Sequence, residues 1–300
     1  MYDLIIIGAG PAGITAAVYA ARKAMKFLVI SRDIGGQAAL SGDVENYTGY
    51  QFVTGPELAA KFEEHMKHFQ VEMKEGEDVL EVKKVHNIIE VKTAKGVYES
   101  RTLIIASGRR PRLLNIPGEQ EFKNRGVTYC ATCDAPLFSG REVAVIGGGN
   151  SALDATLQLM QIAGKIYLID VNPELGGDSV MRSKIEKSEK VTVINGAQTR
   201  EILGDKMVTG LVVSRDGKEE KISVQGIFIE IGSVPESDFA SGVAKNEFGE
   251  IVINNSNETN FPGIFAAGDV TDVPGKQIII AAGEGSKALL SVFKYIAKEK

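Results

Sequence analysis

The feature that most restricts the fold is a short glycine pattern that occurs twice. Asp3-Leu4-Ile5-Ile6-Ile7 is a continuous apolar run that enters Gly8-Ala9-Gly10-Pro11-Ala12-Gly13, and an Ala-rich helical stretch follows from Ile14 to Ala24. A second apolar run, Glu142 to Ile146, enters Gly147-Gly148-Gly149-Asn150-Ser151-Ala152 and a helical pattern to about Ile162. Shifting the chain by 139 residues places Gly8 on Gly147, Gly10 on Gly149, Gly13 on Ala152 and Ile30 on Ile169 without a gap. In a strand, turn and helix of this kind the first glycine makes the tight turn. The second lets backbone approach a pyrophosphate, and the third lets helix and strand pack closely. The helix start adds free N–H groups and a positive dipole end. The pattern predicts an α/β protein with two Rossmann-like dinucleotide-binding domains, or an old duplication in which one copy has lost its ligand.

Composition narrows the function classes. Glycine is in excess, 33 of 300 residues, where about 7% is usual; clusters of it beside apolar runs fit backbone that approaches ligands. Lys plus Arg number 34 against 39 Asp plus Glu, a net charge of −5, so no global basic field attracts a nucleic acid. The local cluster Arg109, Arg110 and Arg112 reads as a salt-bridged or solvated edge, with docking as the alternative. The longest apolar runs, Leu4 to Ile7 and Ile278 to Ala282, fall far short of the roughly 18 residues of a membrane span. The first basic residues, Arg22 and Lys23, follow the first apolar run, the reverse of a secretory leader. A cytoplasmic protein without membrane contact is expected.

Two dinucleotide sites in one chain suit electron transfer from a mobile nicotinamide to a resident flavin. An acidic ribose ligand of the first site is expected near Asp33, with Ser31 ending the strand, whereas Asp170 ends the corresponding strand of the second. Asp170 would accept from a free ribose 2′-OH and repel a 2′-phosphate, which favours NADH over NADPH. The two cysteines lie together in Cys130-Ala131-Thr132-Cys133-Asp134. With no other thiol in the chain, the pair reads as a redox dithiol, half a zinc site or two small buried hydrophobes. Zinc requires four ligands, and His65, His68 and His86 supply no matching spacing, so no metal is expected. Asp134 suits an acid/base beside a disulfide, or a turn cap ahead of Pro136.

These residues resemble the low-molecular-weight thioredoxin reductases, FAD-containing homodimers, over essentially the whole chain. The likeness is carried by Gly8 to Gly13, Gly35-Gly36-Gln37, Val44-Glu45-Asn46, Cys130 to Asp134, Gly147 to Ala152, Gly263 to Asp269 and Gln277 to Gly285. It implies a discontinuous FAD domain, residues 1–113 and 240–300, into which a nicotinamide domain, 114–239, carrying the dithiol is inserted. By the same resemblance Gly8, Gly10, Pro11, Ala12, Gly13, Gly36, Gln37, Asn46, Gly108, Gly268, Asp269, Gln277 and Ile278 serve FAD. Gly147, Gly149, Asn150, Ser151, Ala152 and Asp170 serve the nicotinamide nucleotide. Cys133 is implied as the flavin-facing thiol, Cys130 as the attacker of a partner disulfide and Asp134 as the acid/base.

One stretch departs from the NADPH enzymes of that family. Where they carry His-Arg-Arg and a later Arg for the 2′-phosphate, this chain reads Asp170-Val171-Asn172-Pro173-Glu174. There it looks like the flavoprotein subunit of alkyl hydroperoxide reductase, an NADH enzyme with extra N-terminal thioredoxin-fold domains for which 300 residues leave no room. Electrons are therefore expected to pass to thioredoxin or a separate glutaredoxin-like protein. Arg182 and Lys184 are the residues that would serve NADPH if their loop folded back, and Asp154 stands where the family carries Glu. A swing of the inserted domain about Gly108 to Pro117 and Ile231 to Pro235 is expected. The alternatives are a ferredoxin-linked flavoprotein disulfide reductase, an NADH oxidase and a non-catalytic flavin and nucleotide redox sensor.

Overall fold

The computed structural model describes residues 1–41, 43–44, 46–129 and 131–298. The chain divides into two compact units, Met1–Arg110 with Val234–Lys300, and Pro111–Ser233. It passes between them in two short strands, Arg109–Pro111 and Ser233–Pro235, which pair with each other. The return crossing therefore falls six residues before the expected 239/240 boundary. The reason is packing: Phe239 O accepts from Val82 N–H, and Ala240 lies in the first unit's core.

In the first unit the described residues form a seven-stranded sheet. Its order is Met73–Glu75, Phe27–Ile34, Tyr2–Ala9, Val97–Ile105, Ile88–Thr93, Val79–Val85, and Ile264–Ala266 pairs with the far half of Val97–Ile105. Met73–Glu75, Phe27–Ile34, Tyr2–Ala9, Val97–Ile105 and Ile264–Ala266 run parallel. Ile5, Ile6 and Leu4 are wholly buried, and they point alternately into two cores. That explains why this strand is apolar throughout rather than alternating. One core is covered by the helices Pro11–Arg22 and Ile278–Lys298. They cross so closely that a Cβ on Gly285 would stand 2.0 Å from Ala12 O.

The second unit is built on a five-stranded parallel sheet, ordered Val127–Thr128, Gly226–Ile229, Glu142–Ile146, Lys165–Asp170, Val191–Asn195. Helices Asn150–Leu159 and Ser179–Glu186 accompany it. An antiparallel meander, Gln198–Gly204, Val208–Arg215 and Lys218–Ile222, fills the connection back to Gly226–Ile229. Because the five strands are parallel, Thr128, Ile146, Asp170 and Ile229 all end at one edge. That carboxyl edge is where open α/β sheets bind ligands. Among the described residues no helix is long and apolar enough to cross a membrane.

Candidate active site

In the first unit, Gly8 turns the chain at φ +100°, and Pro11 opens the helix at a position whose N–H has no helical partner in any residue. A Cβ on Gly13 would lie 1.9 Å from Gly8 O, so helix and strand touch backbone to backbone there. Gly10 differs: an added Cβ would find its nearest atom, Gly35 O, 4.0 Å away. Ile14 N–H is the first to close a helical bond, to Gly10 O at 2.9 Å, which leaves the N–H groups of Ala12 and Gly13 without a helical acceptor. An open backbone face beside free N–H groups is the arrangement a pyrophosphate fits.

The other expected flavin residues gather on the same unit. Gly35 N–H donates to Ala9 O at 2.7 Å, and a Cβ on Gly36 would lie 3.3 Å from Gly10 Cα, so the two glycine turns face each other. Gln37 is exposed beside them. Asn46 Nδ2 donates to Gln277 Oε1 at 3.0 Å, joining residues 231 apart in the chain, and Ile278 follows as the first residue of the long helix. Gly268, at φ +76°, packs its Cα against Ala12 and so brings Asp269 to the start of the first helix. Burial holds the Asp269 carboxyl above its usual range, against the pull of Lys276 and Arg109. Gly108, with φ +70°, has open space where a Cβ would stand.

On this unit the expected strand end at Ser31 changes, while the basic cluster is salt-bridged as its sequence suggested. The strand Phe27–Ile34 continues past Ser31. Ser31 Oγ accepts from Ala9 N–H at 3.0 Å and donates to Asp33 O at 2.7 Å, so it braces the glycine turn from inside. Of the basic cluster, Arg109 pairs with Glu250 at 2.7 Å, while Arg110 lies 3.6 Å from Glu236 and 3.8 Å from Asp238. Lys276 shares Glu250 at 3.1 Å. Burial pushes the Glu250 carboxyl up, but hydrogen bonds from Asn246, Arg109 and Lys276 outweigh it and leave it below its usual range.

In the second unit, nothing lies within 4 Å of a Cβ built on Gly149, which caps the helix Asn150–Leu159 in extended conformation. Leu153 N–H bonds Gly149 O at 3.0 Å, so the N–H groups of Asn150, Ser151 and Ala152 are those the helix leaves for an anion. The Gly147 turn is closed from behind, where a Cβ would stand 2.4 Å from Glu230 O. Asp170 is 4% exposed, and its carboxylate lies so close to Gly148 that a Cβ there would meet Oδ2 at 2.0 Å. Asn172 Nδ2 donates to both Asp170 oxygens at 3.3 and 3.4 Å. Asn150 Oδ1 is already engaged, accepting from Asp178 N–H at 2.8 Å. Arg182 donates to Leu175 O at 3.1 Å, and its buried Nε has no partner among the described residues; Lys184 is exposed.

Of the dithiol segment, Cys130 lies outside the described residues, as does the side chain of Cys133, whose backbone belongs to the short helix Ala131–Asp134. The Asp134 side chain is half-buried. Two carboxyl groups that sequence reasoning did not single out hold the segment on either side. Glu119, 1% exposed, accepts from the N–H groups of Leu114 (2.9 Å) and Asn115 (2.6 Å) and from the hydroxyl of Tyr129 (2.9 Å). Burial, reinforced by Glu119, raises the Tyr129 phenol. Glu230, next after the buried strand Gly226–Ile229, accepts from Ala131 N–H at 3.3 Å. Burial pushes its carboxyl up to about 7; the Ala131 amide works against the shift and the Asp154 charge adds to it. An acid that ends the apolar run Gly226-Ile227-Phe228-Ile229 was the available signal.

A family model described as pyridine nucleotide-disulphide oxidoreductase matches residues 2–285. Among curated proteins, an NADH dehydrogenase of Bacillus subtilis (strain 168) is 40% identical over 300 residues, 99% of this chain and 59% of that protein. A subunit of alkyl hydroperoxide reductase in Xanthomonas campestris pv. phaseoli is 41% identical over 304 residues, 99% of this chain and 57% of its own length. The chain thus spans less than two thirds of these relatives. Among solved structures, a thioredoxin reductase of Lactococcus lactis superposes with a TM-score of 0.86 at 36% identity, covering 99% of this chain and 100% of that one. With two glycine turns that each follow a parallel strand, a Cys-x-x-Cys in its sequence, and these likenesses across nearly all its length, the chain belongs to the pyridine nucleotide-disulphide oxidoreductase family.

Proposed function

We propose that this chain is a flavin-dependent disulfide reductase that takes electrons from NADH and delivers them through Cys130 and Cys133 to thioredoxin or a glutaredoxin-like protein. The observation that carries the reading is the shared edge of the second sheet. The dithiol segment leaves it after Val127–Thr128, the second cradle after Glu142–Ile146 and Asp170 at the end of Lys165–Asp170. Bound FAD and a reduced nicotinamide supply the hydride and electron-relay chemistry that side chains lack.

The chain's own residues supply binding, orientation and thiol exchange. Gly8, Gly10 and Gly36 admit the FAD pyrophosphate, Gly13 lets the helix reach the strand behind it, the Asn46–Gln277 pair orders the edge beside it, and Asp269 follows Gly268, which packs on Ala12 at the same helix start. Gly147, Gly149 and the N–H groups of 150–152 take the nicotinamide nucleotide's pyrophosphate, with Asp170 toward its ribose. Val171, Asn172, Pro173 and Glu174 are exposed and bring no cation, and Arg182 is turned to Leu175 O. That favours a 2′-OH over a 2′-phosphate. In the exchange, the Cys130 thiolate attacks the partner's disulfide, a mixed disulfide forms and a partner thiolate leaves and is protonated, with Asp134 as the proton source. The Cys133 thiolate then attacks Cys130 Sγ, which releases the second partner thiol and restores the intramolecular disulfide.

Cys130→Ser tests this directly. NADH should still bleach the flavin, while reduction of an added disulfide protein should fall to background. Undiminished reduction of that protein by the variant would remove the dithiol from the route.

A further inference from the structure

Glu250 takes no part in the binding or exchange steps above, yet it joins distant pieces of the first unit. Its backbone is fixed by a turn, in which Asn246 N–H donates to Glu250 O at 2.9 Å and Glu250 N–H to Asn246 Oδ1 at 3.0 Å. The next residue, Ile251, donates its N–H to Val270 O at 2.9 Å and accepts from Asp272 N–H at 3.0 Å. This ladder sets Glu250 beside the segment 268–277, which begins with Gly268-Asp269 and ends with Gln277. Both carboxylate oxygens are engaged there. Oε1 accepts from Arg109 at 2.7 Å, and Lys276 Nζ stands 3.1 Å from the same oxygen; Oε2 accepts from Asn246 Nδ2 at 2.7 Å. Arg109 opens the crossing strand Arg109–Pro111 directly after Gly108, and Lys276 directly precedes Gln277.

We propose that Glu250 is a positioning residue for FAD: by holding Arg109 and Lys276 on one carboxylate oxygen, it fixes the segment that carries Asp269 and Gln277. The proposal rests on the reading of the first glycine turn as the FAD cradle. Only the first residues of the segment, Gly268–Val270, form a helical turn, so the course of the rest is set by its contacts. Thr271 fixes the start, since its N–H and its hydroxyl both donate to Gly268 O, at 3.0 and 2.7 Å. Lys276 Nζ donates to Thr271 O and so draws the end of the loop back over that start. Glu250 in turn holds this ammonium. Beyond it, Gln277 O accepts the first bond of the long helix, from Ala281 N–H at 2.9 Å, while its side chain meets Asn46. The side chains of Glu250, Arg109 and Lys276 are 13%, 16% and 29% exposed, so water screens them poorly, and removing one partner leaves uncompensated charge. Without the carboxylate the two cations repel each other, and their remaining counter-charge is Asp269, on which both already act. Asp269 and Gln277, at the two ends of one loop, then shift together.

The test is the rate at which the holoenzyme releases FAD on dilution, followed by flavin fluorescence, with the visible circular dichroism of the bound flavin and the urea midpoint measured on the same preparations. Glu250→Gln, of nearly the same size but uncharged, should release FAD about tenfold faster and change the flavin dichroism. Ser237→Ala is the structural control: it loses the bond from Ser237 Oγ to Gly249 O at 2.7 Å, next to Glu250, and leaves the carboxylate's partners in place. It should lower the urea midpoint while FAD release and flavin dichroism stay as in the wild type. Release from Glu250→Gln within twofold of the wild type would overturn the proposal, and so would equally fast release from Ser237→Ala. If the glutamine variant does not fold, Lys276→Met decides: faster release is expected, and an unchanged rate overturns the proposal. A wild type that holds no FAD defeats the reading of the first cradle and the proposal with it, whereas a wild type and a Glu250→Gln variant that hold it equally well defeat the proposal alone.

Discussion

One methyl group, placed in turn at Gly13, Gly10 and Gly149, separates the structural from the ligand-facing role of the two turns. At Gly13 the new carbon would lie 1.9 Å from Gly8 O and 2.8 Å from Gly8 C, both backbone atoms. Relief requires the helix Pro11–Arg22 to move off the strand Tyr2–Ala9, and overpacking of that kind costs about 3 kcal/mol, a large share of a total stability of roughly 5–15 kcal/mol. At Gly10 the backbone is ordinary, φ −80° and ψ −174°, and the nearest atom is 4.0 Å away. Stability should change by less than about 1 kcal/mol, because stiffening of the unfolded chain offsets the poorer helix cap. Gly149, at φ −87° and ψ −177° with nothing within 4 Å, should behave likewise. The assay is urea unfolding by circular dichroism, with flavin content and NADH kinetics on the same preparations. Gly13→Ala should unfold at clearly lower urea. Gly10→Ala should be folded but flavin-poor, and Gly149→Ala folded and flavin-loaded with a KM for NADH raised about tenfold or more, about 1.4 kcal/mol. Full flavin in the Gly10 variant together with an unchanged KM in the Gly149 variant would refute the cradle argument; a Gly13 variant as stable as wild type would refute the steric one.

Two further outcomes follow from the carboxyl groups of the second unit. Asp170→Ala should raise the KM for NADH about tenfold and narrow the gap to NADPH, read as the ratio of kcat/KM for the two nucleotides; an unchanged ratio would assign Asp170 a purely structural place beside Gly148 and Asn172. Glu230 titrates at about 7 in the fold against an ordinary 4.5, so the native state holds its proton more tightly. Its contribution is fully present below about pH 4.5 and is lost as pH rises to about 7, a fall of up to about 3 kcal/mol. Glu230→Gln should accordingly match wild type near pH 4.5 and exceed it above pH 7, read from urea midpoints; equal midpoints at every pH would contradict the burial argument.

How much of this was legible in the sequence depended on how local its cause was. The glycine turns were readable because their demands lie within a dozen residues: Gly13 against Gly8, Pro11 at the helix start, free N–H groups after Gly10 and Gly149. Asp170 was readable because it ends an apolar strand. Ser31 was not, since its hydroxyl is spent on Ala9 and Asp33 across a strand that runs three residues further. Asn150 and Arg182 match the expected positions by spacing, but Asp178 N–H takes the Asn150 Oδ1 and Leu175 O takes one guanidinium N–H of Arg182. Glu230 and Ala131 are 99 residues apart, and Asn46 and Gln277 are 231 apart; only the chain reversals of the sheets bring such partners together. A charged residue closing a buried parallel strand at its carboxyl end is the local trace such a residue leaves.

On the proposed route, electrons pass from reduced nicotinamide through flavin and dithiol to a protein disulfide. Anaerobic stopped-flow of the holoenzyme tests it most directly, with NADH and NADPH mixed in parallel and oxidised thioredoxin or a glutaredoxin-like protein added afterwards. NADH should bleach the flavin fast and NADPH slowly, and the flavin should reoxidise when the disulfide protein arrives. Preferential bleaching by NADPH would contradict the reading of Asp170. A flavin that neither nucleotide bleaches, or that no disulfide protein reoxidises, would contradict the route itself.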